Sequence, residues 1–311
     1  MTKNKIKPNL FGLLFALPWI IGFFIFGLYP IFKSLYYSFT DFNVFMEPNW
    51  VGLDNYKDLF QDRLFYKSLS NTLFMTAIGT PVTIVFALIC ALVLNMEIKA
   101  RSFFRTIFFI PSLVPIVAAT LMWVWIFNPK YGLINIILKG VGLKGLNWLA
   151  DPLLTKPSLI LIGLWTVGVP MVIFLAALQD VPRELYEAAS MDGANEWRKL
   201  INITLPSISH IMLYQVILAI INNFQYFTQA YVITGATGAS GGLNVASGGP
   251  ANSILFYALY LYHNAFVYLK MGKASAMAWI LFIITGIATW LIVKTYGGWG
   301  NYGKRGQKNA K

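Results

Sequence analysis

Six apolar runs of roughly 20 residues each, at about 9–32, 69–94, 107–127, 157–178, 206–234 and 276–293, set the first constraint on this chain. A helix of that length crosses the hydrocarbon core of a bilayer, where every backbone N–H and C=O must find its partner within the protein. The composition agrees, with 57% hydrophobic and 12% charged residues where soluble domains carry about 25% charged. The expected fold is an all-α integral membrane protein. Residues 1–311 form one membrane domain of six transmembrane helices, with little room for a folded soluble domain.

The connecting segments orient the helices. With the N-terminus inside, the inner segments hold 14 Lys and Arg residues, among them Lys99, Arg101, Arg183, Arg198 and Lys294, against 10 in the outer ones. That is the direction of the positive-inside rule, and it puts both termini in the cytoplasm. Lys3, Lys5 and Lys7 resemble the basic start of a signal peptide, but the apolar run after them is too long and lacks a small-x-small cleavage site, so a retained helix is expected. The net charge of +12 is scattered over helix ends rather than gathered in a stripe, which argues against nucleic acid. Cys90 is the only cysteine and lies inside an apolar run, so neither a disulfide framework nor a cysteine metal site is available.

The segment from Ser38 to Tyr56 mixes aromatic and polar residues in the manner of an interfacial anchor, and Asn128-Pro129-Lys130-Tyr131-Gly132 opens a further outer loop. The stretch from Gly235 to Pro250 is too rich in glycine for a helix and reads as a mobile loop. It lacks the Gly-Lys-Ser/Thr ending of a phosphate-binding loop. His210 and His263 stand alone, as packing residues rather than metal ligands. The middles of the six runs hold no Asp, Glu, Lys or Arg, whereas ion-driven transporters place such groups at membrane depth. Energy would then enter from outside the membrane.

Between the fourth and fifth runs lies a polar segment, 180–206, with its own punctuation. Asp180 or Val181 is placed to cap a short helix with Pro182 in its first turn, and Gly193 suits the left-handed residue that ends it. Leu185, Ala188, Ala189 and Asp192 share one face of that helix, and the two alanines let a partner approach closely. A second short helix from about Asn195 is expected to end before Pro206.

Glu187-Ala188-Ala189, three residues, Gly193, nine residues, then Ile203-x-Leu205-Pro206 resembles the cytoplasmic signature of binding-protein-dependent ABC importer permeases. Val51-Gly52-Leu53-Asp54-Asn55-Tyr56, Phe109-Ile110-Pro111, Asn128-Pro129, Leu185-Tyr186-Glu187 and Met271 to Trp279 are similar to sugar-importer permeases of the maltose and glycerol-phosphate type, so nearly the whole chain is covered. The long Gly235–Pro250 stretch departs from that group. The resemblance implies a type I importer permease in a bacterial cell membrane. It would work with a second permease subunit, two ATPase subunits and an extracellular or periplasmic sugar-binding protein. ATP and magnesium would sit on the ATPase, with no cofactor bound by this chain. It further implies that Glu187, Ala188, Ala189, Met191, Asp192 and Gly193 form the grip for the ATPase: Glu187 a polar contact, the alanines close packing, Gly193 the turn.

Asn222, Asn223, Phe224 and Tyr226 put amides among aromatics in the fifth run, a chemistry suited to sugar hydroxyls and ring faces. The resemblance adds Trp165, Gly168 and Met171 from the fourth run as comparable solute-contacting places. Amides in such a place also hydrogen-bond across packed helices, and the residues alone leave both readings open. An importer of glycerol-phosphate or polyol is the nearest rival to an oligosaccharide importer, and the absence of Arg and Lys from the runs favours a neutral sugar over an anionic solute. An ion-coupled transporter is the remaining alternative.

Overall fold

The computed structural model describes residues 7–96, 99–236 and 248–308, with side chains over 12–96, 99–236 and 248–296. These residues form helices and one isolated bridge between Thr40 and Trp50. Four helices are long and apolar enough to cross a membrane: Gly12–Tyr37, Arg63–Asn95, Ser209–Ala236 and Met271–Tyr296. Two bent pairs, Arg101–Leu113 with Ile116–Ile126 and Pro152–Trp165 with Gly168–Gln179, make up to six if each pair is one span. The chain is thus an all-α integral membrane protein.

The third and fourth runs are not single straight helices as expected. The third turns by 100°. Pro111 sits in a tight turn over Ile110–Leu113, and Val114, extended because Pro115 follows it, ends the helical path. The later helix, Ile116–Ile126, has 11 residues and a length of about 16 Å, half the hydrocarbon thickness. The fourth bends by 52°. Pro170 has no N–H for the carbonyl of Thr166, and that carbonyl instead accepts the Ser112 hydroxyl at 3.1 Å.

Prolines elsewhere are absorbed without a bend of that size. Three π-helical turns, Phe23–Leu28, Met75–Gly79 and Leu200–Thr204, are each followed two residues later by a proline: Pro30, Pro81 and Pro206. A proline ring pushes away the carbonyl four residues earlier and offers it no donor. Here those carbonyls belong to Phe26, Ala77 and Asn202, inside the wide turns that make room for the ring. For this reason the expected helix end before Pro206 is not observed. The path continues through Leu205–Ser207 and pauses at Ile208 before Ser209–Ala236.

Two compact units are present, residues 1–62 with 261–281 and residues 63–260 with 282–311. The larger one has two apolar cores. One gathers Ala87, Ala91, Met171, Phe174, Leu178 and Ile208, and the other Phe127, Leu159, Ile162, Ile233, Phe256 and Leu259. In the smaller unit, two motifs remote in sequence form one polar knot. Asn55 donates to the carbonyls of Ser38 and Thr40 at 2.9 and 2.8 Å, Tyr56 donates to Ser38 Oγ at 2.9 Å, and Lys273 pairs with Asp62 at 2.8 Å. Gly272 donates its N–H to Phe42 at 3.0 Å. Most of the Gly235–Pro250 stretch lies outside the described residues.

A β-carbon on Gly272 would run into the carbonyl oxygen of Thr40 and stand 3.1 Å from the Asn55 amide. Gly272→Ala is therefore expected to cost about 2 kcal/mol of stability, the scale of overpacking a filled site. The readout is a lower Tm of the purified protein in detergent.

Candidate functional site

A cavity of about 530 Å³ opens in the larger unit where two helices are interrupted at the same place. One break is at Thr166 and Val167, between Pro152–Trp165 and Gly168–Gln179. The other is at Gln225 to Phe227, between Ser209–Phe224 and Thr228–Ala236. Both breaks line the cavity, together with Thr83 and Ile116 from neighbouring helices. Irregular backbone at membrane depth is tolerated where it faces protein or a water-filled space. The break at Gln225–Phe227 involves neither proline nor glycine.

Gln215, Leu218, Ala219 and Asn222 form the cavity-facing stripe of the fifth span, at positions i, i+3, i+4 and i+7. Gln215 also donates to the Pro170 carbonyl at 3.2 Å and so pairs a backbone group at the opposing break. Asn222 is exposed to the cavity. Asn223 lines it too, and its amide donates to Thr80 Oγ1 at 2.8 Å. One amide thus faces the space while its neighbour also ties two helices. Tyr226 packs edge-on to Phe256 with ring centroids 5.0 Å apart, and its hydroxyl is buried with no hydrogen-bond partner. Gln225, Thr228 and Gln229 add further polar groups, and no charged side chain is among the lining residues.

Four other candidates lie elsewhere. Phe224 is 2% exposed and, like Ile220 one turn before it, faces away from the stripe. Met171 is fully buried in the first apolar core. Trp165 packs edge-on to Trp123, 6.0 Å between centroids. Gly168 is where two helices touch, since a β-carbon there would lie 2.7 Å from the Phe108 carbonyl and 2.5 Å from Ser112 Oγ. These four support the walls rather than line the space. The stripe beginning at Gln215 was legible as a polar residue two helical turns below Asn222.

The polar segment forms a second candidate site. Its helix runs over Arg183–Met191 with Pro182 itself as the N-cap, one position later than expected, because Val181 is drawn into the apolar core. Gly193 has φ +74°. Its N–H bonds to Ser190 at 3.1 Å and that of Ala194 to Ala189 at 2.9 Å, the paired bonds of a Schellman ending. Asn195 then caps the second helix by accepting the Arg198 N–H at 2.9 Å. Glu187, Ala188, Met191 and Asp192 are exposed, while Ala189 is half-buried. Leu185, Met191 and Trp197 are 46%, 84% and 67% exposed, large apolar groups left uncovered on a polar segment. Trp197 was not singled out from the sequence. On the inner side, the Tyr186 hydroxyl meets Thr204 Oγ1 at 2.9 Å. Among the described residues no three His, Cys, Asp or Glu side chains gather closely enough to hold a metal ion.

Broken helices around a polar cavity, with a polar helix-turn-helix between two spans, define a membrane transport subunit. Residues 83–296, well over half of the chain, match the family described as binding-protein-dependent transport system inner membrane component, and the chain belongs to that family. It is 39% identical to the probable ABC transporter permease protein YesP of Bacillus subtilis (strain 168), over 97% of this chain and 95% of that one. It is 33% identical to the arabinooligosaccharides transport system permease protein AraP of the same organism, over 91% and 88%. A solved bacterial alginate ABC transporter, in complex with an alginate pentasaccharide-bound periplasmic protein, contains a chain of the same fold. The TM-score is 0.75 at 22% identity, covering 92% of this chain and 94% of that one.

The paired roles of the two asparagines separate by measurement. Asn223→Ala breaks the bond to Thr80 and is expected to cost about 0.6–1.7 kcal/mol, the range for hydrogen bonds between membrane helices. Asn222→Ala should change stability by under about 0.5 kcal/mol. Thermal unfolding in detergent reads both.

Proposed function

We propose that this chain is one of two permease subunits of an ATP-driven importer for a neutral oligosaccharide, and that the solute passes through the cavity at the two helix breaks. The observation that carries this reading is the lining: amides, hydroxyls and aromatic rings without a charged side chain. Its volume of about 530 Å³ lies within the range of about 300–1,000 Å³ for small-molecule sites. The names of AraP and of the alginate transporter support a saccharide. The absence of Lys and Arg from the lining weighs against glycerol-phosphate. Asn222 and Asn223 would meet the solute through their amides, and Tyr226, whose hydroxyl is buried, would offer it only the part of its side chain that lines the cavity.

In this reading both termini and the 180–206 segment are cytoplasmic. Two ATPase subunits supply the power, one of them gripping the exposed face of Arg183–Met191 through Leu185, Glu187, Ala188 and Met191. Ala189, Asp192 and Gly193 hold the shape of that grip. A binding protein delivers the sugar from outside, and a second permease completes the passage. ATP and magnesium belong to the ATPase.

Two variants test the reading in proteoliposomes holding the complete transporter, with the saccharide released from its denatured binding protein as substrate. Gly193→Asp places its side chain in open space, since nothing lies within 4 Å of the β-carbon position. It should insert at normal levels while a left-handed strain of roughly 1–2 kcal/mol loosens the turn. Uptake then falls toward background and ATP hydrolysis persists. Asn222→Ala should raise the apparent KM for uptake about tenfold, the worth of one lost hydrogen bond of about 1.4 kcal/mol. Normal uptake by Gly193→Asp would overturn the coupling role, and an unchanged KM would overturn the cavity.

A further inference from the structure

The turn at Gly193 raises a mechanical problem. It is exposed, and it is the only covalent link between the Arg183–Met191 helix and the foot of the fifth span. A pull on the helix that travelled through this link alone would bend it. The chain has a second route. Tyr186 and Thr204 are 18 residues apart in sequence, yet their hydroxyls meet at 2.9 Å. Thr204 donates to the Lys199 carbonyl at 3.3 Å, so the phenol is the donor in a short chain from Tyr186 through Thr204 to Lys199. Thr204 is 5% exposed and closes the π-helical turn before Pro206, where the regular ladder is interrupted. Around this bond the Tyr186 ring and Ile203 pack on the core that contains Leu178, Val181 and Ile208. The Lys199 side chain is 14% exposed, and its ammonium pairs with Glu196 of the same short helix at 2.8 Å.

We infer that Tyr186 is a positioning residue for transport: its hydrogen bond to Thr204 forms a strut that bypasses the Gly193 turn and moves the foot of the fifth span together with the helix that the ATPase grips. This rests on the coupling role proposed above and adds to it the path of the force. The fifth span then delivers the motion to its own interruption at Gln225–Phe227, which lines the cavity. The Gly193 turn has a separate task, to shape the exposed face that the partner holds.

The test uses the complete transporter in nanodiscs, with ATP and vanadate as the probe. Spin labels go on Glu184→Cys and His210→Cys, both exposed positions on either side of the strut. Cys90 is buried and stays unlabelled. In the parent the distance between the labels should stay narrow and unchanged when ATP and vanadate are added. In Tyr186→Phe or Thr204→Val it should match the parent without nucleotide and shift only with nucleotide. A purely structural loosening would broaden it in both conditions alike. Thr204→Ser keeps the hydroxyl and should keep the parent behaviour. Hydrogen exchange at residues 183–194 should quicken roughly fivefold in Tyr186→Phe, the factor for one neutral hydrogen bond of about 1 kcal/mol. The double variant should be no worse than either single one, because both remove the same bond.

An unchanged label distance in Tyr186→Phe with nucleotide, a distance broadened alike with and without it, or additive effects in the double variant would overturn the strut. A parent complex in which no ATPase subunit co-purifies would instead overturn the coupling role itself.

Discussion

A backbone carbonyl or amide left unpaired in hydrocarbon costs roughly 2–7 kcal/mol, and most of the architecture here follows from avoiding that cost where proline breaks the helical ladder. Pro30, Pro81 and Pro206 are met by π-helical turns that widen the helix and keep it running. Pro170 is met differently. Ser112 supplies the donor that its ring cannot, Gln215 takes up its own carbonyl, and the helix bends. At these prolines the difference between the two solutions decides whether the helix runs on or bends.

The openings are not dispersed. The bend beside Pro170 and the interruption at Gln225–Phe227 share one cavity, and Gln215 reaches from one helix to the other across it. The same side chains that satisfy freed backbone groups therefore also make the wall polar. Gly168 belongs to this arrangement because it lets the bent helix lie against Phe108 and Ser112, close enough for the serine to reach Thr166. Structure and site are built from one set of hydrogen bonds.

Much of this was legible in the sequence, for identifiable reasons. Apolar length alone located the four long apolar helices and the two bent pairs, and Gly193 announced a left-handed helix end that its φ of +74° displays. Proline was harder to read, because its effect depends on what lies nearby. Pro111 and Pro115 turn the third crossing through 100°, whereas Pro206 passes within a helical path. The wide turn over Leu200–Thr204 accounts for that tolerance, and such a turn emerges only from the folded geometry. The amides at Asn222 and Asn223 were visible as polar groups in an apolar run. Helical periodicity already sets Phe224, two positions on, on the opposite face from Asn222, and it points into the core. Trp165 and Met171 were carried by resemblance to other chains, and local packing places both in the walls.

The uncharged lining of the cavity and the charged helix-turn-helix outside the spans complement each other. In the proposed reading, a cavity lined by amides, hydroxyls and apolar groups offers the solute hydrogen bonds without a carboxylate or ammonium group. In that reading the work arrives as displacement. Displacement needs stiff elements and a surface to push on, and the 180–206 segment has both: an exposed face with Met191 and Leu185 outward, and an inner side where Tyr186 is fastened to Thr204. In a helical membrane protein such stiffness comes cheaply from hydroxyl-to-backbone bonds at the very turns that proline forces on the chain. The prolines that complicate the fold thereby supply the points at which motion can enter it.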